Sequence, residues 1–401
     1  MSTGENPRLV LKAGREKSLK RKHFWVFSGA VAETPACESG ATVDIISASG
    51  EFLAVGGYSP TSQIIARVWS FSREAVNEQF FRRRIRAAQE LRNRLGIPGV
   101  TSAYRLISAE GDAIPGVVVD IYGDHAIIQI LSAAAEARKC EIVSALAAEL
   151  PGLVGIYERS DVAVRAKEGL KECTGVLLGE PPPQEFIVRE HSYSLIADPY
   201  CGHKTGFYFD QRVNRKLVGE YADGRSVLNL FSYSGGFGVA AALGGAVSVE
   251  NVDSSAAALE LARRNMELNG IPEDRFVNTC ANVFELLRQY EKEKRRFGVI
   301  VLDPPKLVEG QAHLMKGCRA YKELALRAFR LLEPNGLLFT FSCSGLVTPE
   351  LFAKLSFDAA SDAGVFAAIV AKLGQDMDHP VLLNHPESAY LKGLAVLRRD
   401  I

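Results

Sequence analysis

VLNLFSYSGGFGVAAA, residues 227–242, is the stretch that decides the fold. Its opening, Val227 to Phe231, is an aliphatic run typical of a buried strand. Ser232 to Gly236 predicts a tight turn, and Phe237 to Leu243 predicts a helix of small residues. A strand, a glycine turn and a helix make the first half of a βαβ unit. In such a unit the glycines let a nucleotide-like ligand approach the backbone closely.

The second strand of this unit is expected from Ala246 to Val252, and it ends at Asp253. Ser254 is expected to cap the helix that follows, which runs to Asn269. An acidic residue about 20 residues beyond the glycine turn is placed to accept hydrogen bonds from ribose hydroxyls. Glycine-rich turns also occur without a ligand, so the turn alone leaves a purely structural role open.

The composition limits the classes of protein to which this chain can belong. The chain has 401 residues, 47% of them hydrophobic, which is enough for two or three globular domains. Its formal net charge is zero, so any nucleic-acid binding requires local basic patches. No apolar run approaches the ~20 residues of a membrane span, and the N-terminus has no signal-peptide pattern. Seven scattered cysteines without a CxxC pair argue against disulfides and metal, and they favour a cytoplasmic protein.

Leu9 to Phe71 carries short apolar runs between glycine, serine and proline turns, the pattern of a small β-barrel. A basic run follows its first apolar stretch and comprises Arg15, Lys17, Lys20, Arg21, Lys22 and His23. Aromatic residues adjoin it at Phe24, Trp25 and Phe27. The run is either a solvated surface or a phosphate-contacting patch with rings for stacking. Spacing alone favours the solvated surface.

A second module lies between the barrel and the glycine turn. Glu74 to Leu95 predicts an arginine-rich helix, which either helps to hold RNA or keeps a linker soluble. Strands and one helix, Ala134 to Leu150, follow up to Glu185, with Pro181 to Pro183 as the linker. The predicted domains are a barrel (1–72), a central α/β domain (73–185) and a final α/β domain (186–401).

Alternating strands and helices after Glu185 predict a parallel sheet. Its fourth strand, Gly298 to Leu302, ends at Asp303, and its fifth, Leu337 to Ser342, ends at Cys343. In an open parallel sheet, ligands and chemistry gather beyond the carboxyl ends of the strands. Asp253, Asp303 and Cys343 therefore form a candidate active site.

This pattern resembles class I S-adenosylmethionine-dependent methyltransferases. Asp303 is followed by two prolines, which fix the backbone that faces a flat base. Methyltransferases of exocyclic amines usually place an aromatic residue next, whereas this chain has Lys306. Cys343 suits methylation of a carbon, because a thiolate that adds to C6 of cytosine turns C5 into a nucleophile. Lys306 is the candidate cation that activates this thiol, and Asp303 is expected to hold the cytosine edge; the residues do not identify the base.

Nearly the full length resembles the RlmI-type 23S ribosomal RNA cytosine-C5 methyltransferases. The resemblance rests on EGDAIPG (110–116), YERSDVAVRAKEG (157–169), GHKTGFYFDQR (202–212), NLFSYSGGFGV (229–239), VDSS (252–255), VLDPPK (301–306), CRAYK (318–322), FSCSG (341–345) and DHP…YLKG (378–393). It implies a PUA β-barrel, a central α/β domain and a Rossmann-like methyltransferase domain that binds S-adenosylmethionine.

The resemblance also implies residue roles. Cys343 becomes the nucleophile, with Asp303 at the base. The methyl donor is expected to contact Phe231, Tyr233, Gly235, Asp253, Asn282, Tyr208, Asp210, Gln211 and Asp303. An RNA-binding barrel reverses the interpretation of the basic run as solvated, so the expected RNA contacts are Arg15, Lys17, Lys20, Arg21, Lys22 and Lys306.

Asn282 departs from the family pattern, in which an acidic residue opens the third helix and accepts from the adenine amino group. An amide oxygen can still accept that bond, so weaker donor binding is expected. Two other functions stay open: methylation of another base position with a structural Cys343, and an RNA-binding ribosome-assembly factor. The target nucleotide, naked RNA against ribosomal particle, and a homodimer are also left open.

Overall fold

The structure is a computed structural model that describes residues 6–399. The chain divides into two compact units. The first runs to Phe186 and also takes in Ala197–Phe209 and Met377–Ser388; the second takes in Ile187–Ile196, Asp210–Asp376 and the chain from Ala389. Within residues 6–399, no helix combines the length and apolarity needed to cross a membrane. The three-domain division stays a prediction.

A six-stranded sheet opens the first unit, as the β-rich pattern predicted. Its elements are β1 (Arg8–Leu11), α1 (Lys17–Lys20), β2 (Trp25–Phe27), β3 (Val31–Glu33), β4 (Thr42–Ile46), β5 (Phe52–Tyr58) and β6 (Ile64–Ser70). The strand order is β2-β6-β5-β4-β1-β3, and β1 and β4 pair in parallel. Val43 and Ile45 of β4 are fully buried and belong to the apolar core of this sheet, and β5 and β6 are buried along nearly their whole length.

A five-stranded sheet with its helices forms the rest of the first unit. The elements are α2 (Glu78–Arg94), α3 (Ile97–Val100), β7 (Ala103–Ser108), β8 (Val117–Tyr122), β9 (His125–Ile130), α4 (Ala133–Glu136), α5 (Lys139–Glu149), β10 (Gly155–Ser160) and β11 (Cys173–Gly179). They pair in the order β11-β10-β9-β8-β7. Trp69, Phe80 and Phe81 are buried together with this sheet's apolar residues.

Two predicted helices of this module need correction. The arginine-rich helix begins at Glu78 and not at Glu74, because the Asn77 side chain accepts the Phe80 N–H and caps the first turn. The predicted helix from Ala134 to Leu150 is two helices. Between them Arg138 leaves helical geometry, with φ −113° and ψ 12°.

The second unit is built on a seven-stranded sheet. Its elements are the hairpin β12 (Phe186–Glu190) and β13 (Tyr193–Ala197), then α6 (Arg212–Glu220), β14 (Ser226–Leu230), α7 (Gly236–Leu243), β15 (Ser248–Asp253), α8 (Ala256–Leu268), β16 (Phe276–Cys280), α9 (Val283–Lys292), β17 (Phe297–Leu302), α10 (Leu314–Leu331), β18 (Leu332–Ser342), α11 (Pro349–Asp362), β19 (Phe366–Gly374) and β20 (Lys392–Arg399). The order is β16-β15-β14-β17-β18-β20-β19. All neighbours from β16 to β18 are parallel, and β20 is antiparallel to both of its neighbours. The predicted Rossmann-like fold is confirmed, with five parallel strands as expected and two antiparallel strands, β20 and β19, added at one edge.

Element ends differ from the predictions by small amounts with local causes. The second sheet strand begins at Ser248 and includes Asp253. Ser255, and not Ser254, caps α8, because the Ser255 side chain accepts the Ala258 N–H. The strand that leads to Cys343 begins at Leu332, five residues before the predicted Leu337, since it continues directly from α10.

Candidate active site

The strand ends meet at one edge of the seven-stranded sheet. In the parallel register, Leu230 of β14 lies opposite Val252 of β15 and Leu302 of β17, and Leu302 lies opposite Thr340 of β18. The residues that follow these strands therefore share the carboxyl edge. The register brings Phe231, Asp253 and Asp303 to this edge, with Cys343 just beyond the end of β18.

Three residues of the glycine turn have left-handed backbone geometry. Phe231 has φ 58°, Tyr233 has φ 46° and Gly235 has φ 73°. For a bulky non-glycine residue this conformation is strained, and such strain persists only where the surroundings enforce it. At Gly235 a Cβ atom would lie 2.8 Å from the Ala262 Cβ of α8, so close helix packing adds a second requirement for glycine.

Asp253 holds this turn. Its Oδ2 accepts the Tyr233 N–H at 2.9 Å, and its Oδ1 accepts the Ser255 N–H at 3.0 Å. A carboxylate has about four acceptor sites, so both oxygens can still accept ribose hydroxyls. The sequence singled out Asp253 for the ligand, and the structure adds a structural role in fixing the strained turn.

A ladder of asparagines beneath the turn was missed by sequence reasoning. Asn229, Asn251 and Asn278 lie opposite one another on three adjacent strands. Asn229 Nδ2 donates to Asn251 Oδ1 at 2.9 Å, and Asn251 Nδ2 donates to Asn278 Oδ1 at 3.0 Å. Asn265 of α8 donates to the Ser234 carbonyl at 2.8 Å. An asparagine at the matching position of three predicted strands was the signal that could have revealed this support.

Asp303 and Gln211 are far apart in sequence and adjacent in the structure. Gln211 Nε2 donates to Asp303 Oδ2 at 2.9 Å. Asn214, another residue that sequence reasoning missed, donates to Gln211 Oε1 at 2.6 Å and to the Gly374 carbonyl at 3.0 Å. These contacts fix the orientation of the Gln211 amide, and Gln211 in turn orients the Asp303 carboxylate.

Asp210 is buried next to Gln211 and belongs to the same surroundings. The Tyr390 hydroxyl donates to its carboxylate, and its carbonyl accepts the Asp376 N–H at 3.0 Å. Tyr208 belongs to the first unit, where its hydroxyl lies 3.2 Å from His203 Nδ1. Its predicted contact with the methyl donor stays a prediction.

Asn282 is the N-cap of α9. Its Oδ1 accepts the Phe284 N–H at 2.9 Å and the Glu285 N–H at 3.4 Å. The oxygen that was expected to accept from adenine is thus engaged with the helix terminus. An aspartate in the same place would cap the helix with one oxygen and offer a second to a ligand.

Cys343 is half-buried between two serines that are fully buried, Ser342 and Ser344. Part of Cys343 is therefore accessible, whereas its two neighbours are not. Lys306, the predicted activating cation and RNA contact, is exposed.

The predicted RNA-contacting run of the first unit lies on the surface. Arg15, Lys17 and Arg21 are exposed. Lys20 is exposed and forms an ion pair with Glu51 at 2.7 Å. The Lys22 ammonium lies 4.8 Å from the centre of the Phe71 ring. Exposure is compatible both with a solvated surface and with RNA binding.

Three side chains of the first unit have atoms of the types that bind metals, His23, His385 and Glu387, and these atoms lie within 4.8 Å of one another. His23 Nε2 lies 3.2 Å from the Glu387 carboxylate, a hydrogen-bonding distance. Burial lowers the pKa of His385, which favours its neutral form. Hydrogen bonding accounts for the contact between His23 and Glu387.

Two protein-family models match parts of the chain. A family model for S-adenosylmethionine-dependent methyltransferases matches residues 169–381. A model for PUA-like domains matches residues 9–71, the six-stranded sheet described above.

Relatives and solved structures agree with these matches. A Klebsiella pneumoniae protein named ribosomal RNA large subunit methyltransferase I is 48% identical over 97% of this chain and 98% of its own length. A Tolumonas auensis protein of the same name is 49% identical with the same coverage. A putative S-adenosylmethionine-dependent methyltransferase from Streptococcus mutans has the same fold, with a TM-score of 0.85 at 24% identity over 98% of this chain and all of that one. A putative methyltransferase complexed with SAH has a TM-score of 0.86 with the same identity and coverage.

Proposed function

The chain belongs to the ribosomal RNA large subunit methyltransferase I family, and from that premise we propose that it forms 5-methylcytidine in 23S ribosomal RNA in the cytoplasm. The observation that carries this proposal is the position of Cys343. It is half-buried at the carboxyl end of β18, next to the strand that ends at Asp303. Parallel sheets of this type hold their ligands beyond the carboxyl ends of the strands, and this is the end of β18 at which Cys343 lies.

The donor site fits S-adenosylmethionine. Left-handed geometry at Gly235 and at two residues before it makes a tight turn that a ligand can approach. Asp253 keeps acceptor capacity for ribose hydroxyls after its two backbone contacts. We assign the donor to Phe231, Tyr233, Gly235 and Asp253.

Cys343 performs the covalent step in this proposal. Its thiolate adds to C6 of cytosine, and the ring becomes an enamine that is nucleophilic at C5. S-adenosylmethionine supplies a methyl group on a positively charged sulfur, which keeps the bonding electrons when C5 takes the methyl. A base removes the C5 proton, the C5–C6 double bond forms again, and the thiolate leaves C6.

Asp303 has the recognition role. Its carboxylate can accept a hydrogen bond from the exocyclic amine of cytosine, while the Gln211 amide donates to Oδ2 and keeps the carboxylate in place. The exposed cations Arg15, Lys17, Lys20, Arg21 and Lys22, together with Lys306, are the phosphate contacts of the proposal.

The test is methyl transfer from labelled S-adenosylmethionine to unmodified 23S RNA, followed by nucleoside analysis. Naked RNA and the assembled large subunit are assayed side by side. We expect 5-methylcytidine from the parent protein and, with Cys343→Ala, a loss on the order of 10⁴-fold or more, because no other group supplies the nucleophile. Cys140→Ala, which removes an exposed cysteine of α5, is the matched control and keeps activity.

Two outcomes would overturn the proposal. A different methylated nucleoside that persists in Cys343→Ala would mean another base position and a structural cysteine. If the protein neither methylates either RNA nor binds S-adenosylmethionine in calorimetry, the function that remains is that of an RNA-binding assembly factor.

A further inference from the structure

A buried lysine lies directly behind the cysteine turn. Lys392 begins β20, and its Cα is paired with that of Ser342 on β18. The residue is only 8% exposed, and its Nζ donates to the Ser344 carbonyl at 2.6 Å and to the Val347 carbonyl at 2.9 Å. Lysine is almost never this buried without a specific reason, because desolvation of the ammonium group is costly.

Lys392 is one of several anchors that converge on Ser344. The Ser344 Oγ lies 3.0 Å from the Tyr321 hydroxyl of α10 and accepts the Val308 N–H at 3.2 Å. Ser344 N–H donates to the Ser342 Oγ at 3.3 Å. Segments near Asp303, on α10, after β18 and at the start of β20 thus meet at the residue after Cys343.

The electrostatic surroundings of Lys392 contain the thiol. Burial lowers the pKa of the Lys392 ammonium. A negative charge on Cys343 raises this pKa, and the positive charge of Lys306 lowers it. Burial also raises the pKa of Tyr321, so its hydroxyl stays protonated at neutral pH. The interaction between Lys392 and Cys343 is reciprocal, so a cation that is favoured by a thiolate also favours that thiolate.

We propose that Lys392 is the positioning residue of the cysteine turn: its ammonium group holds the Ser344 and Val347 carbonyls, and its positive charge stabilises the Cys343 thiolate. The inference rests on the proposed function, in which that thiolate is the nucleophile, and it replaces Lys306 as the activating cation. Lys392 moves no proton; the thiol proton leaves to solvent. Within residues 6–399 the lysine is bound to main-chain carbonyls and has no carboxylate at ion-pair distance, so no ion pair with these residues neutralises its charge.

The test measures the ionisation of Cys343 without methyl transfer. Iodoacetamide alkylation of the full-length protein is followed against pH by mass spectrometry of the tryptic peptide 331–354, whose one cysteine is Cys343. We expect a midpoint below the ~8.5 of a free thiol in the parent protein. In Lys392→Met the midpoint should rise by about one pH unit or more, because the favourable charge is removed.

Two controls separate charge from anchoring. Tyr321→Phe removes an anchor of Ser344 without a change of charge and should leave the midpoint within about 0.3 pH units. Lys392→Arg keeps the charge and should retain most of the lowered midpoint. If Lys392→Met does not fold, the parent protein and Lys392→Arg decide the question.

A parent midpoint at or above about 8.5 would overturn the inference, as would an unchanged midpoint in a folded Lys392→Met. Equal shifts in Lys392→Met and Tyr321→Phe would reduce Lys392 to a structural anchor. These outcomes are independent of the nucleoside product. A lowered midpoint together with a product other than 5-methylcytidine would retain the lysine–thiolate pair and reject the proposed function.

Discussion

Two basic stretches of the first unit look alike in sequence and differ in the structure. The basic segment, residues 15–22, and helix α2 are both dense in arginine or lysine. In the basic segment the cations are exposed; Lys20 pairs with Glu51, and within residues 6–399 the others have no carboxylate within ion-pair distance. Its positive charge is therefore largely available to an external phosphate.

The arginines of α2 are mostly used inside the unit. Arg82 and Arg86 both bond to Glu149, at 2.7 and 2.9 Å. Arg84 donates to the Trp69 carbonyl at 2.8 Å. Arg92 is fully buried and forms a two-pronged ion pair with Asp112. These four arginines are therefore engaged within the unit, which leaves fewer cations of α2 for RNA than the sequence suggests.

The largest effect in this comparison is expected at Arg92. Arg92→Met would leave Asp112 buried beside polar groups and without its counter-charge, so we expect a loss of about 3–5 kcal/mol in the free energy of unfolding. Arg92 also donates to the Arg105 carbonyl at 2.9 Å and to the Asp378 carbonyl at 2.7 Å, and these acceptors would lose their partner. Denaturant unfolding followed by circular dichroism measures the change.

The double variant Arg92→Met with Asp112→Leu is the control for the buried charge. It should recover part of the loss, because both members of the pair are removed together. A loss below about 1 kcal/mol in Arg92→Met would show that the pair contributes little and that the two stretches are more alike than their burial indicates.

A smaller effect is expected on RNA affinity. Lys17→Gln with Arg21→Gln removes two exposed charges from the basic segment, and Arg83→Gln with Arg94→Gln removes two from α2. For the first pair we expect roughly tenfold weaker RNA binding at moderate salt and a salt-dependence slope reduced by about 2. The measurement is fluorescence anisotropy with a 23S fragment at several salt concentrations.

The second pair is matched in charge and should change neither the affinity nor the slope appreciably. If both pairs weaken binding equally, RNA responds to the overall charge of the unit, and the exposed segment has no special role.

The sequence did contain one indication that an arginine of α2 is buried, unlike the cations of the basic segment. Phe81, Ile85 and Ala88 are the buried side of α2, and Arg92 continues the same three- and four-residue spacing. An arginine in register with an apolar stripe predicts a buried ion pair. Its partner could not be predicted, since Asp112 lies 20 residues away in a turn whose path depends on the whole sheet.

The same limit applies to the candidate active site. Period and apolarity predicted the parallel strands, and register then required Asp253 and Asp303 to share an edge. Which side chains contact one another, however, follows only from the three-dimensional structure. The contact of Gln211 with Asp303 and the two carbonyls bound by Lys392 join segments separated by tens of residues, and no local pattern encodes them. The predicted N-cap of α8 was wrong for a related reason, since Ser254 and Ser255 are equally good capping residues by type.

The smallest effect in the comparison is expected two residues from the largest. Arg94 has a side chain 82% exposed, and its nearest carboxylate is Glu90, four residues earlier, at 4.0 Å. An exposed pair of this kind contributes about 0.3–0.5 kcal/mol and is screened by salt. Arg94→Gln should therefore reduce the free energy of unfolding by less than about 0.5 kcal/mol, and the difference should vanish at high salt. A loss above about 1 kcal/mol, under the same denaturant protocol as Arg92→Met, would mean that exposure does not separate structural from available arginines in this helix.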